Sequence, residues 1–570
     1  MDNLIAPYGG KLANPMAEKV RARELRREAL HLPSLDLNRR QISDLEMLLN
    51  GGFSPLTRFM GRADYESVLE RMQLADGTFW PLPVTLDLPD KAAGLLEAGG
   101  RVALRDPEGF LLAVLTVGEV WQPDKAREAE ALFGTTDPAH PGAGYLMRQV
   151  GSHYVSGHLE GLSLPQHFDY PMLRLAPEEL RKSFLRRGWR RVIAYQAHFP
   201  PHRAQYEFTR RAVLEREANL LIHAVTAVDP ADSPDHFTLV RSCQAILPRY
   251  PAASADVALL PMSRHLERAR GVLLRAIVAR NYGCTHLIVG GEQDDSGDHR
   301  RGRDVSDSRE FQRLSQQAEA VGVALIPFPR MVYVEERVQY MPQEEAPPGA
   351  RNLVLPGAEF RRRLAEGLEI PEWHSYPEVV AELRKTHPPR SRQGFTVFFT
   401  GLSGSGKSTL AKALMVKLQE IGGRQVTLLD GDIVRKHLSS ELGFSREHRD
   451  INIRRIGFVA SEITKNRGAA ICAPIAPYAT TRRAVREMIE PLGGFFEIHV
   501  STPLEVCESR DCKGLYAKAR AGIIKEFTGI SDAYETPESP ELALDTSDIS
   551  VDEAVQRILL KLEQKGYLKI

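Results

Sequence analysis

The sequence predicts a multidomain α/β protein, and three observations carry that reading. At 570 residues the chain exceeds what a single hydrophobic core supports. Its last third alternates strand-like apolar runs with stripes at helical spacing, the pattern of a parallel sheet clothed by helices. Its first 170 residues hold short apolar runs broken by Gly and Pro, which suits a β-rich domain. The expected division is a β-rich domain over 1–170 and an α/β domain over 171–385 with a small carboxy-terminal subdomain. A linker over 386–394 and a parallel-sheet domain over 395–570 complete it.

In chain order, the arginine-rich stretch 20–30 reads as a helix with a solvated face. The runs 79–88 and 101–120 are apolar stretches broken by Gly and Pro, as a small β-rich domain has. The α/β region offers helices near 177–187, 206–218 and 270–281, with strands at 191–195 and 285–290. Residues 385–394 are polar, basic and proline-bearing, as linkers are. Beyond them 395–400 and 426–429 read as strands, and Leu410, Leu414 and Leu418 mark one face of the helix between. Ile453, Ile456, Ala460 and Ile463 stripe another helix, 495–500 forms a later strand, and Val551, Val555, Ile558 and Leu562 stripe a closing helix.

Seventy-four basic and 74 acidic residues cancel, so no general attraction to nucleic acid or an anionic membrane is implied. Five scattered cysteines do not make a disulfide framework. No signal peptide opens the chain and no run approaches the ~18 apolar residues a membrane span needs. A cytoplasmic location is expected.

The strongest chemical signal is Gly401-Leu402-Ser403-Gly404-Ser405-Gly406-Lys407-Ser408-Thr409, directly after the apolar strand. Glycines at 401, 404 and 406 let backbone N–H groups converge on phosphate oxygens, and the helix that follows turns its positive end to the same anion. Lys407 can reach the outer phosphates, and Ser408 is placed to ligate Mg²⁺. This P-loop predicts binding of ATP with Mg²⁺. Asp430-Gly431-Asp432 ends the second strand, where an open parallel sheet forms its crevice. Asp430 is expected to hold Mg²⁺ through water and Asp432 to accept a hydroxyl proton. Arg435, Arg449, Arg454 and Arg455, interleaved with Phe444 and Asn452, suit an acceptor carrying both an anion and a base.

Together with Leu442-Gly443-Phe444-Ser445, Asn452-Ile453-Arg454-Arg455-Ile456-Gly457, Lys513-Gly514-Leu515-Tyr516-Ala517-Lys518-Ala519-Arg520, Phe527-Thr528-Gly529-Ile530 and Tyr534-Glu535-Thr536-Pro537, these residues resemble the adenylylsulfate (APS) kinase family. The resemblance implies transfer of the ATP γ-phosphoryl group to the 3′-hydroxyl of APS, giving PAPS and ADP. It makes Asp432 the base or hydroxyl-orienting group, with Phe444 and Phe527 around the adenine. Arg435, Arg449 and Asn452 would hold the phosphosulfate and ribose, and 513–520 would form a lid whose Lys513 faces the transferring group. Where that family usually reads Ile-Ser-Pro-Tyr-Arg, this chain has Ile475-Ala476-Pro477-Tyr478-Ala479. A phosphoserine at 476 is therefore excluded, while backbone contacts from Ile475 and Ala476 to APS survive.

The first 385 residues resemble ATP sulfurylase, which implies a Rossmann-like nucleotidyltransferase-type α/β domain. The resemblance rests on Pro7-Tyr8-Gly9-Gly10, Gly51-Gly52-Phe53-Ser54-Pro55, Asn281-Tyr282-Gly283-Cys284 and Ile370-Pro371-Glu372-Trp373. The catalytic motifs depart from it. The family's Gln-Thr-Arg-Asn-Pro-Met-His-Arg-Ala-His is Gln196-Ala197-His198-Phe199-Pro200-Pro201-His202-Arg203-Ala204-Gln205, and its Arg-Asp pair is Gly291-Glu292. Sulfate attack on ATP joins two anions, so losing a fixed guanidinium removes transition-state neutralisation worth ~3 kcal/mol or more. The expectation is an APS kinase bearing a silent sulfurylase-like domain with a role in homo-oligomer assembly. The alternatives are a bifunctional PAPS synthetase and an amino-terminal nucleotide-binding regulatory module.

Overall fold

A computed structural model describes residues 4–227, 236–263, 269–290, 309–443, 445–511 and 514–569, with the side chains of Glu310 and Asp432 also outside the description. The chain divides into two compact units, one of residues 1–360 and 370–386, the other of 361–369 and 387–570.

The first unit opens on a five-stranded sheet ordered Ser34–Asp36, Arg101–Arg105, Leu111–Trp121, His153–Gly161 and Leu86–Leu88. All pairings are antiparallel except the first. The apolar run 79–88 yields only the short strand Leu86–Leu88, since Pro81 and Pro83 remove ladder donors. The region is less purely β than its sequence suggests, for six helices accompany the sheet.

A second sheet is wholly parallel, in the order Ala324–Pro327, His286–Val289, Val192–Ala197, Asn219–Ala227 and Ala255–Ser263. Val192–Ala197, first in sequence, lies in the middle, so the strand order reverses at its carboxyl end. One continuous core joins both sheets, running from Phe53, Trp80 and Leu115 to Leu221, Ile277 and Leu287. Asn281 pins this junction: its side-chain amide donates to the Gly52 and Ser54 carbonyls at 3.0 Å each and its Oδ1 accepts the Tyr8 N–H at 2.9 Å.

The second unit carries five parallel strands ordered Val426–Leu429, Ala469–Cys472, Phe395–Thr400, Gly494–Val500 and Leu542–Leu544. Phe395–Thr400 is buried at every position, which is why it reads as a continuous apolar run rather than an alternation. Leu410, Leu414 and Leu418 of helix Lys407–Ile421 pack on one face of the sheet with Val555, Ile558 and Leu562 of helix Val551–Gln564. Ile453, Ile456 and Ala460 of helix Arg446–Lys465 pack on the other face with Val485. Of the expected linker 386–394, residues 387–394 belong to this unit, where the Arg424 guanidinium donates to the carbonyls of Ser391, Gln393 and Tyr567. Among the described residues no helix is long and apolar enough to cross a membrane.

Candidate active site

The phosphate-binding turn sits between the buried strand Phe395–Thr400 and helix Lys407–Ile421, at the carboxyl edge of the parallel sheet. Gly404 (φ +74°) and Gly406 (φ +98°) hold left-handed backbone, and a Cβ on Gly404 would stand 2.8 Å from the Cys507 carbonyl oxygen. Buried Lys407 folds back so that Nζ donates to the Leu402 carbonyl at 2.6 Å, while Ser408 and Thr409 are exposed on the first helical turn. Leu402, Ser403 and Gly404 are half-buried and Ser405 is fully covered.

Asp430 follows the strand Val426–Leu429, and Gly431 starts helix Gly431–His437. Ser408 and Asp430 therefore both lie beyond the carboxyl edge of the sheet, after the strands Phe395–Thr400 and Val426–Leu429, which Ala469–Cys472 separates. A hydroxyl and a carboxylate are hard oxygen donors that fit Mg²⁺. No cluster of three or more acidic, His or Cys side chains able to hold a metal occurs among the described residues. The side chain of Asp432, all of Phe444 and all of Lys513 lie outside the described residues.

Arg449 is the most telling side chain here. Its Nη1 donates to Thr528 Oγ1 at 2.7 Å and pairs with Asp532 Oδ2 at 2.9 Å, whereas Nε and Nη2 are buried and meet no acceptor among the described residues. One helical turn on, Asn452 Oδ1 is likewise buried and unmatched. A buried guanidinium with idle donors is costly unless an anion completes it. Arg446 lies over the Tyr478 ring at 4.5 Å, and both line a cavity of about 330 Å³ with Glu447, Asp450 and Thr480. Arg435 donates to the Leu442 and Gly443 carbonyls, and Arg455 to Leu438 and Glu441.

Half-buried Phe527 meets the ring of buried Tyr516 edge-on at 5.1 Å, and the Tyr516 hydroxyl donates to the Ser403 carbonyl at 2.8 Å. Helix Leu515–Arg520 is thereby tied to the phosphate-binding turn. Of its cations, Arg520 is held by a two-pronged pair with Glu508 and Lys518 is exposed. The Tyr516 tie and the Thr528–Asp532 cradle of Arg449 are missing from the sequence reading. Thr528 and Tyr516 stood inside motifs already noticed, but nothing in their spacing disclosed these partners.

The first unit carries a second constellation at the end of strand Val192–Ala197. Both amide atoms of buried Gln196 lack a partner among the described residues, and His198 is buried beside half-buried Phe199. His202 caps helix Arg203–Glu215; Gln205 Oε1 accepts its N–H at 3.1 Å. The His202 ring packs between Phe360 and His374 at 5.1 and 5.0 Å, with Nδ1 on Ser375 Oγ at 3.0 Å. Burial pushes the His202 imidazole down to about 4 and that of His374 to about 3, so both are neutral near pH 7. Arg203, the guanidinium this motif keeps, lies over the Tyr333 and Tyr376 rings and is paired with Glu207. Gly291 and Glu292 lie outside the described residues.

Fold and site together define a P-loop nucleotide-binding unit joined to a Rossmann-like α/β unit with its own β-rich domain. A family model described as adenylylsulphate kinase matches residues 393–545, one described as ATP-sulfurylase matches 171–386, and one described as a PUA-like domain matches 5–164. The sulfate adenylyltransferase of Mycosarcoma maydis is 45% identical over 99% of this chain and 100% of its own length. That of Phaeosphaeria nodorum is 46% identical over 99% of each. A hexameric APS kinase from Thiobacillus denitrificans, a solved structure, is 50% identical, spans 100% of this chain and 99% of its own, and superimposes with a TM-score of 0.81. The chain belongs to the family of ATP sulfurylase–APS kinase fusions, and its second unit carries the APS kinase domain.

Proposed function

We propose that this chain is an APS kinase, transferring the ATP γ-phosphoryl group to the APS 3′-hydroxyl, and that its sulfurylase-like unit is catalytically silent. The observation that carries the kinase reading is Arg449, whose buried Nε and Nη2 await an anion beside an intact phosphate-binding turn. In this reading the amides of 401–409 and Lys407 cradle the ATP phosphates, and Ser408 with Asp430 hold Mg²⁺, which neutralises phosphate charge when bound. Arg435, Arg449 and Asn452 position the phosphosulfate and ribose. Phe444 and Phe527 flank the adenine, Lys513 faces the transferring group, and Asp432 orients the 3′-hydroxyl. Positioning and charge neutralisation are most of what phosphoryl transfer asks of a protein.

Silence of the first unit is supported by chemistry that is missing. The guanidinium of the family's motif is His198, the asparagine is Phe199, and His202 is a buried neutral ring rather than a cation. Joining sulfate to an α-phosphate without fixed positive charge forfeits ~3 kcal/mol for each lost donor. The unit then serves a symmetric homo-oligomer, a reading supported by the hexameric relative.

One observation favours a bifunctional enzyme instead: relatives 45–46% identical over the full length are sulfate adenylyltransferases. One preparation decides between them. ADP formation that requires APS supports the kinase; sulfate-dependent pyrophosphate release from ATP, or ATP made from APS and pyrophosphate, supports the second activity and overturns silence.

A further inference from the structure

Ala476 is a residue under backbone strain. It adopts φ +46°, a left-handed conformation unfavourable for a non-glycine residue, and it is 1% exposed. Such a conformation persists only where the surroundings over-determine it. Here they do so through carbonyl oxygens. The Thr400 hydroxyl donates to the Ile475 carbonyl at 2.8 Å and approaches that of Ala476 at 3.1 Å; its one proton so spent, it accepts from the Tyr534 hydroxyl at 2.9 Å. Gly401 N–H also donates to the Ile475 carbonyl, at 3.2 Å.

The second anchor is Arg482, on the first turn of helix Ala479–Ile489 and 4% exposed. Its Nη1 donates to the Ala476 carbonyl at 2.8 Å, its Nη2 to the Glu535 carbonyl at 2.8 Å, and its Nε pairs with Glu497 Oε1 at 2.8 Å. One planar guanidinium thus joins the turn at 476, the segment at 535 and the strand Gly494–Val500. A lysine could satisfy one of these partners but not all three in fixed directions.

Peptide planarity gives the consequence. With the Ile475 carbonyl turned inward onto Thr400 and Gly401, the trans N–H of Ala476 must point the opposite way. Pro477 has no N–H, so this amide is the donor the turn presents. We infer that Arg482 is a positioning residue for the acceptor nucleotide: by gripping the Ala476 carbonyl it holds the turn in its left-handed state and aims the Ala476 N–H at the bound substrate's polar groups. The inference rests on the kinase reading above, which already expects backbone contacts from Ile475 and Ala476 to APS, and adds to it the side chain that fixes their direction.

The test compares the full-length chain with Arg482→Met and Arg482→Lys, each with and without Ala476→Gly, in APS-dependent ADP formation. Circular dichroism and melting confirm folding. Arg482→Met should raise the APS KM about tenfold, while the ATP KM stays within twofold. Adding Ala476→Gly should recover most of that loss, because glycine enters the left-handed region unaided. A purely structural role would move both KM values together and would not respond to glycine at 476. An unmoved APS KM, or a loss that Ala476→Gly leaves intact, overturns the role given to Arg482. Should Arg482→Met not fold, Arg482→Lys carries the same two readouts with a smaller expected rise, about threefold. Failure of the unaltered chain to form ADP from ATP and APS would instead overturn the kinase reading, so the two failures are distinct.

Discussion

The Tyr516 hydroxyl donates to the Ser403 carbonyl over 2.8 Å, fastening the helix that follows Gly514 to the turn that binds phosphate. Tyr516→Phe keeps the ring against Phe527 and removes only this bond. A neutral hydrogen bond is worth about 0.5–1.5 kcal/mol, so the ATP KM should rise roughly three- to tenfold. Steady-state kinetics at saturating APS measure it, and an unchanged ATP KM would show that the tie has no bearing on nucleotide binding.

Lys407 donates to the Leu402 carbonyl of the turn, and the same ammonium is the cation nearest in sequence to the phosphate cradle. Lys407→Ala should lower kcat/KM for APS-dependent ADP formation by about 10²–10³ or more, the scale of losing one preorganised charge donor. The melting temperature should change far less than the rate. Retained activity in this variant would remove the kinase assignment.

The sulfurylase-like unit should give no sulfate-dependent pyrophosphate release. Restoring the family residues, in a chain carrying His198→Arg, Phe199→Asn and Gln205→His, should bind sulfate or its analogues more tightly without reaching full turnover, since Gly291-Glu292 still replaces the Arg-Asp pair. Gln205→His also removes the acceptor that caps His202 N–H, so this chain should melt lower than its parent. Isothermal titration and a pyrophosphate assay on both chains check each half of the expectation.

Acid should loosen the first unit. His202 and His374 have folded values near 4 and 3, against about 6.5 unfolded, so between those limits the unfolded chain binds more protons. Stability is fully present above pH ~6.5 and falls as pH drops toward 4 and below, at no more than about 2.7 kcal/mol per pH unit for two protons. Urea unfolding at pH 7, 6, 5 and 4.5 measures the slope. His202→Gln should flatten it, and an unaltered slope would place the proton uptake elsewhere.

How far the sequence led depends on what kind of information each feature needs. The strand Phe395–Thr400, the glycine turn and the leucine stripe at 410, 414 and 418 are local patterns whose physics acts within a dozen residues, and the structure holds them at those positions. The parallel sheets followed from the alternation of elements. The cradle of Arg449 did not, because Thr528 and Asp532 lie about eighty residues away and meet it only through folding. Ala476 also kept its secret: alanine carries no signature of left-handed backbone, and Arg482 resembles any other helical arginine until its partners are seen. The run at 79–88 was legible as proline-broken, but where its strand begins was not, and the ladder takes only 86–88.

Asn281 reaches across from one sheet's helix to the loop beneath the other, and the hydrophobic interior runs on without a break. The residues that keep this half of the molecule folded are thus different from those clustered around Gln196 and His198. Substitutions at the end of that strand can therefore alter its chemistry while Asn281 and the shared interior keep the two sheets joined. Chemistry and framework are thus separable in this unit, and the first can be rewritten by a handful of changes that leave the second standing.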